Sequence, residues 1–492
     1  MTLSDVPARK LSVMASPYRP ITLSTLTLVA LAAFDGMAIA AALPKIGADL
    51  GVNRLPWVLT AFQFTSTAAM LAAGPLIDAL GVRRVYRLTL VAFFVASVLC
   101  TVAPTLSLLI AARALQGVSG GMVMAVTVAN VGLSYPAELR ARAFAANSTV
   151  WGVMALAGPA TVAFLLAIVS WRGVFLINLP LVAFAAVIGW NRLPANDEPH
   201  PLDFDVTGLV LVSTLTLALL IGLSDLRMRS LVGVGIAAAL AGVYWRHSGR
   251  VATPVLARRH FAYWPFGALN AIPLTFFAGS LALDAYLPIY VQGALGKSTS
   301  IAAFAVAFIA FGWTTGSQII SRLLDRISNV DALVIGFVLT LPALVVGVLV
   351  YSTSTPIALV YALSFVQGLG IGSITNATLS LLQRTAQPTE MGRASSAHQF
   401  MRQLGGTLGT AAAGAILLGV VSRRVGSVEP LRQLLSGDAA ELTGVTRSAI
   451  AQGFRGAAIL ASSLTTLGLV VALRVRTRLH HETGRGITVP IA

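Results

Sequence analysis

Apolar runs of about twenty residues, separated by shorter polar or basic segments, follow one another along most of this 492-residue chain. An α-helix of that length and composition is long enough to cross the hydrocarbon core of a bilayer. The pattern therefore predicts an all-α membrane protein with fourteen transmembrane helices. The spans are predicted near residues 21–44, 55–75, 86–103, 106–130, 145–168, 173–191, 206–223, 231–246, 263–290, 301–320, 331–351, 355–381, 395–421 and 453–473.

Composition and charge agree with this class, since 56% of residues are hydrophobic and only 11% are charged. In a soluble chain the net charge of +16 would suggest a nucleic-acid partner. Here Lys and Arg are concentrated in alternate loops and in the tails, roughly 21 against 6 in the remaining short loops. The positive-inside rule then predicts a multi-pass protein of the cytoplasmic membrane with both termini cytoplasmic. The lipid bilayer is the expected partner, and no nucleic acid is expected.

Two sequence echoes indicate an internal duplication. The segment Gly74–Arg84 reads G-x-L-x-D-x-x-G-x-R-R, and a weaker form follows about 250 residues later at Ser321–Ser328. At nearly the same offset, Gln116–Gly120 is echoed by Gln367–Gly372. A duplicated hinge between helices is typical of transporters built from two related bundles that move against each other.

The duplication predicts three regions. Residues 1–192 form an N-terminal six-helix bundle, and residues 193–260 form a linker with transmembrane helices 7 and 8. Residues 261–492 form a C-terminal six-helix bundle with an outer loop at about 422–452 and a cytoplasmic tail. This outer loop is the one exception to the charge asymmetry, and long translocated loops are less constrained by charge.

Three of the charged residues within predicted spans stand out, because a charge inside the bilayer is costly and needs a reason. Asp35 and Arg113 come to the same depth when each is counted from the outer end of its span at 1.5 Å per residue. If the first and fourth spans are neighbours, the two side chains can pair, either as a fixed salt bridge or as a pair that protonation of Asp35 opens. Asp284 in the ninth span is a third candidate for proton coupling, or a carboxylate hydrated from outside.

The hinge residues are predicted to act as a conformational latch at the membrane–cytoplasm boundary. They are Gly74, Asp78, Gly81, Arg83 and Arg84, with Asp325 in the echo. A gate is predicted in the fifth span at Gly152, Gly158 and Pro159, where small residues allow close approach and proline bends a helix, although ordinary packing is the alternative.

Polar residues in or near the spans are candidates to line a cavity, or alternatively to join helices by hydrogen bonds. They are Gln63, Gln116, Asn147, Asn270, Gln367 and Arg402. Cys100 is the only cysteine, so no disulfide within the chain and no cysteine metal cluster is expected. No metal site is predicted, and the acids are too scattered for an enzyme.

The motifs resemble the major facilitator superfamily and, within it, the fourteen-span drug:proton antiporters. Gly74–Arg84 is similar to the signature loop of the superfamily, and Arg113 with Gln116, Gly117 and Gly120 is similar to its fourth-span signature. Gly152, Gly158 and Pro159 resemble the fifth-span antiporter signature. Met37 and Ala40 stand where the first-span motif usually carries Thr and Asn, which predicts a differently shaped cavity.

The resemblance implies two bundles plus two extra central helices, and proton coupling through Asp35 and Arg113. The predicted function is proton-coupled export of a small amphiphilic or lipophilic molecule by alternating access, as in multidrug efflux. The proton gradient would be the energy source, without a cofactor, and we expect a functional monomer. Two alternatives remain: export of an envelope lipid or self-made metabolite, and a membrane sensor or enzyme without transport.

Overall fold

The computed structural model describes residues 12–51, 55, 57–195, 204–224, 228–427 and 442–484. Regular secondary structure within these ranges is helical. The predicted linker and outer loop lie partly at 196–203 and 428–441, outside the described residues.

The chain separates into two compact units, of which the first comprises Met1–Leu209, Thr253–Ala257 and Leu382–Phe400. Its helices are α1 (Arg19–Leu50), α2 (Trp57–Leu80), α3 (Val82–Val102), α4 (Leu106–Ser134), α5 (Ala137–Ile168), α6 (Trp171–Leu176) and α7 (Asn178–Gly189). Helix α4 packs along α2 and α3, and α1 packs along α5 and α7.

The second unit comprises Val210–Ala252, Arg258–Leu381 and Met401–Ala492. The remaining helices are α8 (Val206–Ser224), α9 (Met228–His247), α10 (Arg258–Phe261), α11 (Phe266–Ile289), α12 (Thr299–Leu323), α13 (Asn329–Val350), α14 (Ile357–Thr385), α15 (Met391–Val425) and α16 (Gly444–Gly484). Helix α16 packs along α11 and α13. The end of α14 and the start of α15 belong to the first unit.

Each of the fourteen predicted spans coincides with helix in the structure. Within the described residues, nine helices are long and apolar enough to cross a membrane, and a tenth is added if the bent α5 counts as one span. The chain is thus an integral membrane protein, and the count of fourteen crossings stays a prediction. The sixth predicted span corresponds to Trp171–Gly189, which counts as one of these nine spans and contains α6 and α7 on either side of Ile177.

Hydroxyl side chains begin several of these helices. Thr105 accepts a hydrogen bond from the backbone of Leu108 at the start of α4, and Ser298 and Ser328 do the same for α12 and α13. Such caps satisfy N–H groups that have no partner inside the helix. They fix where the chain turns back into an apolar span.

Glycines bring two helix pairs into backbone contact. A Cβ at Gly117 or Gly121 of α4 would collide with the backbone of α2 at Phe62 or Ser66. In the second unit, Gly368 and Gly372 of α14 lie against the backbone of α12 in the same way, at an offset of about 250 residues. The two glycine echoes in the sequence therefore have the same structural role, which is close helix packing.

Candidate functional site

Asp35 and Arg113 are in direct contact inside the first unit. Nη1 of Arg113 donates to Oδ1 and Oδ2 of Asp35 at 3.0 and 2.9 Å. Both side chains are 1% exposed. The contact joins α1 to α4. The first and fourth spans are therefore neighbours at this point, as the predicted pairing of Asp35 with Arg113 requires.

Aromatic and amide groups complete the surroundings of this pair. The guanidinium of Arg113 lies 4.1 Å from the ring centroid of Phe62 and also donates to Oε1 of Gln116 at 2.7 Å. Gln116 in turn donates to Ser97 Oγ at 3.1 Å, and the Cys100 thiol donates to Gln116 Oε1. A proton added to Asp35 would remove the charge that balances Arg113, and Gln116 would remain as its acceptor.

Asp284 occupies a related position in the second unit. Its Oδ1 accepts a hydrogen bond from Nε2 of Gln367 at 2.7 Å, which joins α11 to α14. Gln367 is the sequence echo of Gln116, so α1 and α11 each carry a carboxylate and α4 and α14 each carry the echoed glutamine. The second unit has Ser364 where the echo would place an arginine, and the two sites therefore differ in charge.

Asp78 caps the start of α15. Its Oδ1 accepts from the backbone N–H of Gly392 at 2.7 Å, and its Oδ2 accepts from that of Arg393 at 3.1 Å. These are N–H groups of the first turn of α15, which lack partners within the helix and carry the positive end of the helix dipole. Asp78 is 7% exposed and also forms an ion pair of 3.7 Å with Nε of Arg393.

The glycines of the hinge make this cap possible. A Cβ at Gly74 would lie 2.9 Å from Cα of Arg393, and a Cβ at Gly392 would collide with Asp78. Gly81 has a φ of 82°, a left-handed conformation that glycine adopts easily, and it separates α2 from α3. We call the contact of Gly74 and Asp78 with Gly392 and Arg393 the latch.

The other predicted latch residues lie outside this contact. Arg83 donates through Nε to the carbonyl of Leu193, whereas Arg84 is exposed. Asp325 is exposed in the turn after α12. The latch is thus built by the first copy of the motif.

Arg140 is a second anchor that sequence reasoning did not single out. It donates from Nη2 to the carbonyl of Gly132, from Nε to that of Tyr135 and from Nη1 to that of Gln383, at 2.8, 3.1 and 2.8 Å. These carbonyls lie at the ends of α4 and α14, where positive charge is stabilising. Only the position of Arg140 just after Pro136, at the start of a helix, could have drawn attention to it.

The predicted gate lies on a bent helix. The two straight parts of α5, Ala137–Ala155 and Ala160–Ile168, meet at 49°. Gly158 is buried and Gly152 is half-buried, and Pro159 lies at the bend in the sequence. The position of the bend agrees with the effect of proline on a helix.

The predicted cavity residues are divided equally between the two units, and each is described by its own surroundings. Gln116 and Gln367 belong to the two carboxylate sites described above, and Asn270 donates to the carbonyl of His260. Gln63 is exposed on α2 and Asn147 is half-buried on α5. Arg402 lies in the second unit with its guanidinium 5.2 Å from the ring centroid of Phe277. Among the residues described, no cluster of three or more His, Cys, Asp or Glu forms a metal site.

Known proteins give an independent comparison. The model described as Major Facilitator Superfamily matches residues 25–410. The chain is 29% identical over 394 residues to the multidrug transporter protein MdtP of Bacillus subtilis (strain 168), covering 78% of this chain and 72% of that protein. It is 27% identical over 394 residues to the riboflavin transporter RibZ of Clostridioides difficile (strain 630), covering 78% and 84%.

Among solved structures, a bacterial homologue of the iron transporter ferroportin matches with a TM-score of 0.62 at 12% identity, covering 92% of this chain and 98% of that one. This likeness concerns the fold alone. The matched family and its relatives are transporters, so the protein is a membrane transporter and not an enzyme. The match spans most of the chain, including both carboxylate sites and the latch, and the chain belongs to the major facilitator superfamily.

Proposed function

We propose that this transporter is a proton-coupled exporter of small amphiphilic or lipophilic molecules across the cytoplasmic membrane, working by alternating access. The observation that carries the proposal is the buried ion pair of Asp35 and Arg113. A buried charge pair is weak evidence for stability, because a well-packed apolar pair is often as stable, so its presence within a span favours a functional role. The relative MdtP, named as a multidrug transporter, agrees with an amphiphilic cargo.

In this proposal Asp35 takes up a proton from the outside and releases it to the cytoplasm. Protonation removes the negative partner of Arg113, and the guanidinium then turns to Gln116 or to the cargo. The latch opens and closes once in each cycle, with Asp78 leaving and rejoining the start of α15. One proton that crosses 100 mV supplies about 2.3 kcal/mol, enough for a roughly fifty-fold gradient of a neutral cargo.

The experiment is transport by the purified protein in liposomes, with cargo-dependent proton movement followed by a pH-sensitive dye. Asp35→Asn should uncouple efflux from pH, and Arg113→Ala should abolish transport. The matched control is Asp49→Asn, which changes an exposed acid on the same helix. Wild-type efflux by Arg113→Ala, or an unchanged pH profile of Asp35→Asn, would contradict the proposed roles.

The alternative of metabolite export is supported by the relative RibZ, which is named as a riboflavin transporter. It changes the cargo and keeps the proposed coupling. A panel of drugs, lipids and metabolites in the same liposomes distinguishes the two, because only a true cargo produces proton movement. A sensor would bind a ligand without moving protons at all.

A further inference from the structure

Arg402 is half-buried in α15 and differs from Arg113 and Arg455 in the surroundings of its guanidinium. Its Nε is buried and makes no hydrogen bond, and among the described residues no carboxylate forms an ion pair with its guanidinium. Arg113 has Asp35, and Arg455 donates twice to the carbonyl of Tyr351. An unpaired guanidinium in a membrane span is costly, and such residues usually mark a substrate or ion pathway.

Two aromatic side chains are linked to Arg402, one by direct contact and the other through the first. Its guanidinium lies over the ring of Phe277, and this ring lies 6.0 Å from that of Trp313, measured between centroids. The indole Nε1 of Trp313 is buried and has no hydrogen-bond partner. A cation–π contact with Phe277 offsets only part of the cost of burying the charge, and it leaves the Nε–H of Arg402 without an acceptor.

The acid nearest along α11 does not supply the missing charge. Asp284 lies seven residues after Phe277, which is about 10 Å along the helix axis. Its carboxylate accepts from Gln367. Arg402, Phe277 and Trp313 therefore bring together a positive charge, two aromatic rings and two buried N–H donors without acceptors, and we call this set the Arg402 subsite.

We infer that the Arg402 subsite binds the anionic group of the transported molecule, whose aromatic or apolar body lies against Phe277 and Trp313. The cargo is thus an amphiphilic organic anion, such as an aromatic carboxylate or sulfonate or the phosphate group of a lipid. This inference rests on the proposed function and specifies its substrate class. A cationic amphiphile is excluded from this subsite, because Arg402 would repel it.

The test compares two dyes with the same ring system, anilinonaphthalenesulfonate and its uncharged counterpart N-phenyl-1-naphthylamine. Binding of each is measured by fluorescence to the purified protein in nanodiscs of zwitterionic lipid, with empty nanodiscs subtracted. Arg402→Gln should weaken binding of the sulfonate about tenfold or more and change binding of the neutral dye less than about twofold. Arg402→Lys should retain part of the preference for the sulfonate over the neutral dye, since lysine keeps the positive charge but lacks the planar guanidinium group.

Arg423→Gln is the matched control, because Arg423 is exposed on the same helix. Equal binding of the sulfonate by wild type and Arg402→Gln, with both folded by size-exclusion chromatography and thermal melting, would overturn the inference. Nanodiscs that contain phosphatidylglycerol distinguish the source of the anion. Competition that depends on Arg402 assigns the subsite to a lipid phosphate, and its absence assigns it to a soluble organic anion.

The outcome is independent of proton coupling, because dye binding is measured without a gradient. A protein that prefers the sulfonate through Arg402 but moves no protons would refute the proposed function and leave the subsite standing. Coupled efflux of the neutral dye, with no effect of Arg402→Gln on sulfonate binding, would refute the subsite and leave the proposed function standing.

Discussion

Replacing Asp78 should open the latch at the start of α15. Asp78→Asn keeps the size of the side chain but has one acceptor oxygen instead of two. Its amide NH₂ group would face the N–H of Gly392 or that of Arg393, so one of the two charge-assisted hydrogen bonds is lost.

The magnitude follows from burial. Loss of a helix-capping side chain costs about 0.5 to 2 kcal/mol, with smaller values where water replaces the lost acceptor. Asp78 is 7% exposed, so water has little access and the upper value applies. A cost of about 2 kcal/mol corresponds to a roughly thirty-fold shift from the latched to the unlatched form.

The assay is a distance measurement between spin labels at Arg192→Cys and Thr389→Cys, both exposed positions. Cys100 is buried and can stay in place. Asp78→Asn should increase the population at the longer distance relative to the population at the shorter distance about thirty-fold, and Asp78→Ala should increase this population ratio further. The control Glu138→Gln removes an exposed acid and should leave the distribution as in wild type. If both Asp78 variants gave the wild-type distribution, the capping contact would not hold the latch.

Three further predictions concern packing, the second anchor and topology. Gly121→Val should reduce the amount of folded protein in the membrane because its Cβ would collide with the backbone of Ser66, whereas Gly242→Ala, with open space around its Cβ, should express like wild type. Arg140→Gln should shift the same spin-label equilibrium by about 1 to 2 kcal/mol, because three carbonyls at two helix ends lose a cation. A reporter inserted between Ser224 and Met228, where residues 225–227 lie outside the described ranges, should be found outside the cell; a cytoplasmic result would contradict the fourteen-span topology.

Much of the fold could be predicted from the sequence because the relevant physics is local. An apolar run long enough to cross a bilayer must form a helix, since backbone polar groups in lipid have no other partners. The rise per residue also gave the depth of Asp35 and Arg113, because depth depends only on position within a span. The echo that contains Gly117 and Gly368 likewise indicated an internal duplication before any neighbour was known.

Contacts across helices were decided by the tertiary structure alone. Asp78 was expected to act at the hinge, yet its acceptor role toward Gly392 depends on α15, more than 300 residues away in the sequence. Two features depend on which face each helix turns toward its neighbours. They are the hydrogen bond from Arg140 to the carbonyl of Gln383 and the lack of an acceptor for Nε of Arg402. Helix periodicity fixes which residues share a face, but the rotation and crossing of helices arise from packing among all of them. For that reason the sequence determined the helices and the depth of their charges, and the tertiary structure decided which charges are paired.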